Sequence, residues 1–430
     1  MCGADAQHGP THGVRRVHGV RGLAVATRSV VLTLDSCRRP SSRTGSALEA
    51  ALSARVAKPS QRAAARSARI VFDAGRRCVW TVEIDEGKAS MRRGRASHST
   101  ATITSDAETL LDVLDGHLAG VSAFLDGSLS MRGNIALTLE LDDLLPPSRR
   151  HPQAPRCHRV NALGVESFYL EAGDRDRPTV VLFHGLGATC ASLLPTLVDL
   201  SRDHHVISVD LPGFGESDKP ARRLDTAYQA DWAVAFLDAV GVERAHLVGN
   251  SMGGRLALEV GLRAPARADR LVLLAPSLAW RRYRAAARFV RLLRPELAAT
   301  PLPVLHGLVV RFLRSMFAQP KRLSHPAANA AADEFVRLFA TPAARIALFN
   351  AAREIYLEDP HDFWNRLPGL EWPALFIFGD KDWLVPRAFE RHVRKALPAA
   401  RCETFDDCGH VPQFEHPDRT HARVRSFLSG

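Results

Sequence analysis

From about residue 158 to residue 430, short apolar runs alternate with amphipathic ones. The runs are VESFYLEA (165–172), TVVLFHG (179–185), HHVISVD (204–210), AHLVG (245–249), RLVLLAP (270–276) and ALFIFGD (374–380). Short runs this apolar read as strands buried on both faces, and such strands belong to parallel sheets with helices on either side. Between them lie helical patterns such as DTAYQADWAVAFLDAVG, which closes on Gly241 as a helix C-terminus would. A mostly helical insertion, about 277–366, interrupts the alternation. The expected class is α/β: a mostly parallel sheet, helices on both faces and a helical lid.

At 430 residues the chain exceeds what one hydrophobic core usually serves, so a second folded region is expected. It reads as a small α+β unit over 46–147. SALEAALSARVAKPSQRAAAR is Ala-rich and helix-prone, and ARIVF (68–72), CVWTVEI (78–84) and Thr102-Ile103-Thr104 are strand-like. Ser105 and Glu108 have the spacing of a capping box at the start of a helix carrying Leu110, Leu111, Val113 and Leu114. SLSMRGNIALTLELDDLL then alternates before turning apolar, as a final strand and helix would. The Pro- and Arg-rich stretch PPSRRHPQAPRC (146–157) places a linker at 148–157, leaving 158–430 for the α/β unit. Residues 1–45 are basic and lack an apolar stretch with a cleavage site, so they are not read as a secretory signal; a disordered segment, a transit-like segment or a mis-called start is expected there.

Hydrophobic residues at 46% and charged residues at 24% exclude disorder of the whole chain. The net charge of +11 comes without a nucleic-acid-binding signature, so it reads as an Arg-rich surface and no nucleic-acid partner is expected. The seven cysteines are scattered, with neither a CxxC pair nor a zinc-type cluster, and fit reduced thiols of a cytoplasmic protein. No metal and no cofactor is expected. No run of eighteen apolar residues is present to cross a membrane as a helix.

The chemistry centres on AHLVGNSMGG (245–254). A strand runs directly into Gly249-Asn250-Ser251-Met252-Gly253, with a helical pattern behind it. This is the G-x-S-x-G elbow in its strand–turn–helix context, with Gly249 and Gly253 avoiding clashes around a sharp turn. A serine nucleophile needs a base, and the base an orienting acid, following in the order serine, acid, histidine. Asp380 and Asp382 both end the run ALFIFGDKD; Asp382 is preferred because it lies in the loop beyond the strand. His410, on a loop after a short strand, is preferred as base over His416, which sits at a helix start before Pro417. The oxyanion hole is expected from the backbone amides of Met252 and of Leu186 in FHGLGATC (183–190). In that loop Gly185 permits close approach and His184 reads as structural. GLGATC is not a dinucleotide loop, since a third glycine and a ribose-binding acid are missing.

GNSMGG, FGDKDWLVP, DCGHVPQFEHP and DLPGFGESDKP (210–220) together closely resemble the α/β-hydrolase superfamily over 158–430, apart from the lid. Ser251 argues against the members with an aspartate nucleophile. The elbow also resembles that of the meta-cleavage C–C hydrolases, although their HGxGPG-type loop reads HGLGAT here. Over 45–147, WTVEIDEGKASMRRG, TITSDAETLLDVLDG and GSLSMRGNIALTLEL are similar to the sterol carrier protein lipid-binding family. Asn134 stands where that family usually has an acid. This resemblance implies a helix-covered antiparallel sheet enclosing a tunnel for an apolar ligand.

WRRYRAAARFVRLLRPEL (280–297) puts Arg281, Arg284, Arg288 and Arg291 on one helical face, and PVLHGLVVRFLRSMF (303–317) is more apolar still. A lid over Ser251 and a basic surface touching anionic membranes are both compatible with that pattern. The leading functional expectation is a cofactor-independent serine hydrolase cleaving a lipophilic carboxylic ester or thioester. The alternatives are a C–C bond hydrolase or acyltransferase with the same triad, and a lipid carrier whose hydrolase-like part is a scaffold. A linker at 148–157 would tether the two regions at millimolar effective concentration, so that the first could deliver substrate to the second.

Overall fold

The computed structural model describes residues 42–75, 78–279, 292, 294–300 and 305–430. The N-terminal lobe is a five-stranded sheet built from β1 (Ala68–Asp73), β2 (Val79–Asp85), β3 (Lys88–Arg93), β4 (Ala101–Ser105) and β5 (Leu129–Gly133), in the order β3-β2-β1-β4-β5. Its buried face carries Ile70, Phe72, Trp80, Val82 and Ile84, which share a core with Leu48 and Leu52, one helical turn apart on Ser42–Val56. That helix reaches back into the stretch 1–45, where no fold is expected from sequence.

The sheet is mixed, not purely antiparallel. Residues 94–100 return the chain to the end where β1 begins, so β4 pairs parallel to β1 while the other three pairs are antiparallel. The expected capping box is absent as well. Ser105 is still the last residue of β4 and bonds Ser128, so Asp106 caps the helix Ala107–Leu114, accepting from the N–H groups of Glu108 (3.0 Å) and Thr109 (2.9 Å). Asn134 caps the helix Ile135–Leu139, its Oδ1 accepting the N–H of Leu137 at 2.8 Å as an acid would.

The second lobe is an eight-stranded sheet: β6 (Arg156–Ala162), β7 (Val165–Ala172), β8 (Thr179–Phe183), β9 (His205–Val209), β10 (Ala245–Asn250), β11 (Ala268–Leu274), β12 (Ala374–Gly379) and β13 (Arg401–Phe405). The order is β13-β12-β11-β10-β8-β9-β7-β6, parallel except at β6–β7 and β7–β9. Successive residues serve opposite faces. Val180, Leu182, Val272, Leu274, Leu375 and Ile377 pack with the helices Leu194–Leu200 and Pro417–Leu428. Val181, Phe183, Leu271, Leu273, Phe376 and Phe378 pack with Thr226–Ala239 and Met252–Arg263. Both faces are therefore dry, which is why these strands read as continuous apolar runs.

Strand β6 begins inside the stretch expected to be a linker. Leu163 and Gly164, at φ 51° and 77°, make the two-residue turn that folds it onto β7. The remainder of that stretch is pinned: Arg150 bonds Asp143 (2.6 Å) and the carbonyl of Pro155 (2.8 Å), and the Cys157 amide bonds Asp143 (3.0 Å). One buried apolar cluster runs from Leu48, Trp80 and Leu144 through to Phe168, Leu197 and Phe405. The two lobes are packed together rather than tethered.

Between β11 and β12 lie the helices His306–Ser315, His325–Leu338, Pro342–Leu357 and Pro360–Arg366. The basic face expected at Arg281, Arg284, Arg288 and Arg291 lies outside the described residues, as do Cys2 and Cys37. The five described cysteines are buried and unpaired with one another. Among the described residues no helix is long and apolar enough to cross a membrane.

Candidate active site

Strand β10 delivers Ser251 to the C-terminal edge of the sheet. Its backbone sits at φ 54°, ψ −116°, a conformation a residue with a Cβ rarely adopts, and the helix Met252–Arg263 starts at the next residue. The turn is held from outside: the Ser251 N–H donates to the Leu274 carbonyl (2.9 Å), and its own carbonyl accepts from Ser277 N–H (2.9 Å). The elbow glycines answer to backbone contact. A Cβ on Gly249 would stand 2.2 Å from the carbonyl oxygen of Gly253, and one on Gly253 would stand 2.1 Å from that of Phe183.

His410 follows β13, and its N–H donates to the Met316 carbonyl at 2.7 Å. Its Nδ1 lies 2.8 Å from Asp382 Oδ2, with both side chains buried. The other oxygen of that carboxylate accepts from Leu384 N–H (2.8 Å) and Val385 N–H (2.9 Å), which fixes its direction. An imidazole donating Nδ1–H to a carboxylate presents Nε2 as the basic nitrogen. Asn250, beside the nucleophile, donates to the carbonyls of Leu274 (2.9 Å) and His410 (3.3 Å), tying the elbow to the base loop.

The competing acid and base are engaged elsewhere. Asp380 accepts the N–H of Cys408 (3.2 Å) and meets Lys381 (3.2 Å). Partial burial pushes its pKa up, but the Cys408 amide and Lys381 outweigh that and hold the carboxyl below its ordinary range. His416 Nε2 bonds the carbonyl of Asp407 at 3.0 Å.

The loop after β8 passes over the nucleophile, with the Gly185 position facing the Ser251 Cβ. Gly187, at φ 72°, is the position there that calls for glycine. Leu186 is partly exposed in this loop, and Met252 opens its helix, so the Met252 N–H has no partner within the helix. His184 is fully buried. Its Nδ1 bonds Gly185 O (2.8 Å), its Nε2 accepts from Leu211 N–H (3.0 Å), and burial lowers its pKa to about 4. It is a neutral brace between two loops.

Two further carboxylates organise the site, and sequence reading assigned neither a role. Asp210, in DLPGFGESDKP, accepts from Cys190 N–H (2.6 Å) and Glu216 N–H (2.7 Å), and burial raises its pKa to about 6. Glu415 accepts from Gly409 N–H (2.6 Å) and Ala318 N–H (2.7 Å), joining the base loop to the lid. The signal for both was an acid set among apolar residues. A small cleft with room for about 20 Å³ adjoins the helix behind Ser251, where Leu224, Met252 and Ile355 meet Arg255, Glu354 and Glu358.

Residues 178–417 match the alpha/beta hydrolase fold family, and residues 48–146 match the SCP-2 sterol transfer family. The 2-hydroxymuconate semialdehyde hydrolase of Pseudomonas sp. (strain CF600) is 29% identical over 268 residues, 58% of this chain and 86% of that protein. The dihydrolipoyllysine-residue acetyltransferase component of an acetoin cleaving system from Pseudomonas putida is 29% identical over 64% of this chain and 70% of its own length. Among solved structures, a membrane phospholipase A described as a bacterial virulence factor shares 29% identity over 65% of this chain and 87% of that one, with a TM-score of 0.53. With a strand-borne elbow, an acid–histidine pair behind it and a family match over more than half its length, the chain belongs to the alpha/beta hydrolase fold family and carries an SCP-2-like region ahead of the hydrolase lobe.

Proposed function

We propose that the chain is a cofactor-independent serine hydrolase that cleaves a lipophilic carboxylic ester or thioester through an acyl-serine intermediate. The observation that carries this reading is the buried 2.8 Å contact between His410 Nδ1 and Asp382 Oδ2 at the same sheet edge as the strained Ser251. In the acylation step, Ser251 Oγ attacks the ester carbonyl while His410 Nε2 takes its proton. The amides of Met252 and Leu186 receive the developing oxyanion. Collapse expels the alcohol or thiol, which takes the proton from His410, and a water activated by the same histidine then releases the acid. The preference for a lipophilic ester rests on the SCP-2 match of the N-terminal lobe and on the exposed apolar side chains of the lid.

The partners that fit this reading are apolar. We assign an apolar ligand to the N-terminal lobe on its SCP-2 match, and an anionic lipid surface to the lid, where Leu305, Leu308 and Phe312 are exposed beside Arg311 and Trp383. A second reading, C–C bond hydrolysis, is favoured by one observation, the 29% identity to 2-hydroxymuconate semialdehyde hydrolase. Against it, Ala188 and Thr189 stand where a HGxGPG-type loop has Pro and Gly. Labelling by a fluorophosphonate, followed by rates across p-nitrophenyl esters of increasing chain length and on a meta-cleavage dienone, decides between them. No labelling of Ser251 would overturn both readings and leave a lipid carrier.

A further inference from the structure

The N-terminal lobe touches the hydrolase lobe at the lid. On β5, Arg132 gives Asp333 of the lid helix His325–Leu338 two hydrogen bonds to one oxygen, at 3.0 Å and 2.6 Å. The other Asp333 oxygen lies 3.0 Å from Nε2 of His306, the first residue of the lid helix His306–Ser315. One carboxylate therefore bonds the N-terminal lobe to one lid helix and lies close to the start of another, without a hydrogen bond to His306.

Glu334 adds a second tie between the lobes, and two further neighbours lead toward the catalytic residues. Glu334 is buried, meets Arg337 at 2.7 Å, and receives a backbone hydrogen bond from Ile135 of the N-terminal lobe. Phe335 packs on Gly187 of the loop that carries Leu186; a Cβ on Gly187 would lie 3.2 Å from its ring. The helix His306–Ser315 runs into Met316, whose carbonyl accepts the His410 N–H at 2.7 Å. From Asp333 one route thus reaches the oxyanion loop and the other reaches the base.

We propose that Arg132 and Asp333 are positioning residues: the pair latches the lid to the N-terminal lobe and so steadies the oxyanion loop and the base loop. On this view the SCP-2-like lobe acts on the hydrolase mechanically, through the lid. Because Arg132 is largely exposed and Asp333 about one quarter exposed, neutralising one partner alone would have a small effect, and charge reversal is the informative change.

The test uses the full chain, with p-nitrophenyl acetate and p-nitrophenyl decanoate as substrates. Arg132→Glu is expected to lower kcat about fivefold on both esters, with KM changed by less than about twofold on each. Combining it with Asp333→Arg is expected to restore both rates, since the pair is then re-formed with its polarity exchanged. Hydrogen exchange supplies a readout independent of catalysis: amides of 306–315 and 325–338 should exchange faster in Arg132→Glu and recover in the double variant. An unchanged kcat on both esters, or a double variant no better than the single one, would overturn the latch. The kinetic arm rests on the ester-hydrolase reading. If the unaltered chain cleaves neither ester, that reading fails while exchange still decides, and unchanged protection in Arg132→Glu overturns the latch.

Discussion

A Cβ placed on Gly379 would stand 2.2 Å from the carbonyl oxygen of Gly409, so the strand that carries the acid and the loop that carries the base touch backbone to backbone. Around that contact, Asp380 N–H donates to Phe405 O (3.0 Å), Lys381 N–H to Cys408 O (2.9 Å), and Cys408 N–H to Asp380 Oδ1 (3.2 Å). Asp380 is thus occupied in closing the two loops onto each other, which leaves Asp382, one turn further on, to face His410. Gly379→Ala should force the loops apart and lower turnover at least about tenfold, because sub-ångström placement of the base decides its rate. A fully active Gly379→Ala protein would show that the loops can separate without cost.

The two aspartates should separate cleanly under substitution. Asp382→Asn is expected to cut turnover by roughly three to four orders of magnitude, since the imidazole loses both its orientation and its charge partner. Asp380→Asn should mainly loosen the loop, with a loss below about tenfold. Steady-state rates for both variants settle the assignment, and the reverse ranking would make Asp380 the acid.

Ser251 carries strain as well as chemistry. Ser251→Ala should abolish all but a small residual hydrolysis, on the order of a thousandth or less. Ser251→Gly should be equally inactive yet more stable than Ser251→Ala by about 1 kcal/mol, because glycine adopts φ 54° without the Cβ clash. Urea unfolding of the two variants measures this. An alanine variant as stable as the glycine one would mean that the elbow is not strained.

Much of this arrangement is written in local sequence, and the remainder is not, for physical reasons. A strand buried on both faces leaves an uninterrupted apolar run, so β8, β10, β11 and β12 were visible within a residue or two. The elbow was visible because its glycines are demanded by contacts within seventy residues of chain. β6 was hidden, since its burial alternates and its sequence follows a proline-rich stretch. Asp106 displaced Ser105 as the helix cap because β4 runs one residue further than the capping pattern implies. Nothing local to Arg132 or Asp333 announces a pairing across 201 residues. Glu415 and Asp210 stand out only as acids among apolar residues, and their partners stay hidden because these are backbone amides supplied by folding.

Asp210 gives a pH dependence whose sign follows from its burial. Its folded-state pKa of about 6 lies above the ordinary value of 3.8, so between those pH values the folded chain binds more protons than the unfolded one. This carboxyl's contribution therefore favours folding least above pH 6 and becomes more favourable as pH falls toward 4. Asp210→Asn removes the dependence at the constant cost of one amide contact. The stability of the variant relative to the unaltered chain should rise by on the order of 2–3 kcal/mol between pH 4 and pH 7. Urea midpoints at four pH values check this, and parallel curves for the two proteins would exclude it.

Removing the N-terminal lobe distinguishes a packed partner from a tethered one. A chain beginning at residue 155 would lose Leu48, Trp80, Leu144 and their neighbours from a cluster that also holds Leu194, Leu197 and Val198. It would lose Arg132 and Ile135 from the lid as well. Uncovering even a few large side chains costs several kcal/mol, so the midpoint of thermal unfolding should fall by about 10 °C or more, with new binding of an apolar dye. Hydrolysis of long-chain and short-chain esters should both fall, because the lid helices that support the oxyanion and base loops would be freed. A lobe on a flexible tether predicts a different pattern: unchanged unfolding, no dye binding, and a deficit confined to poorly soluble substrates. The pinned stretch from Arg150 to Cys157 and the continuous core favour the first pattern. An unaltered midpoint in the shortened chain would decide for the second.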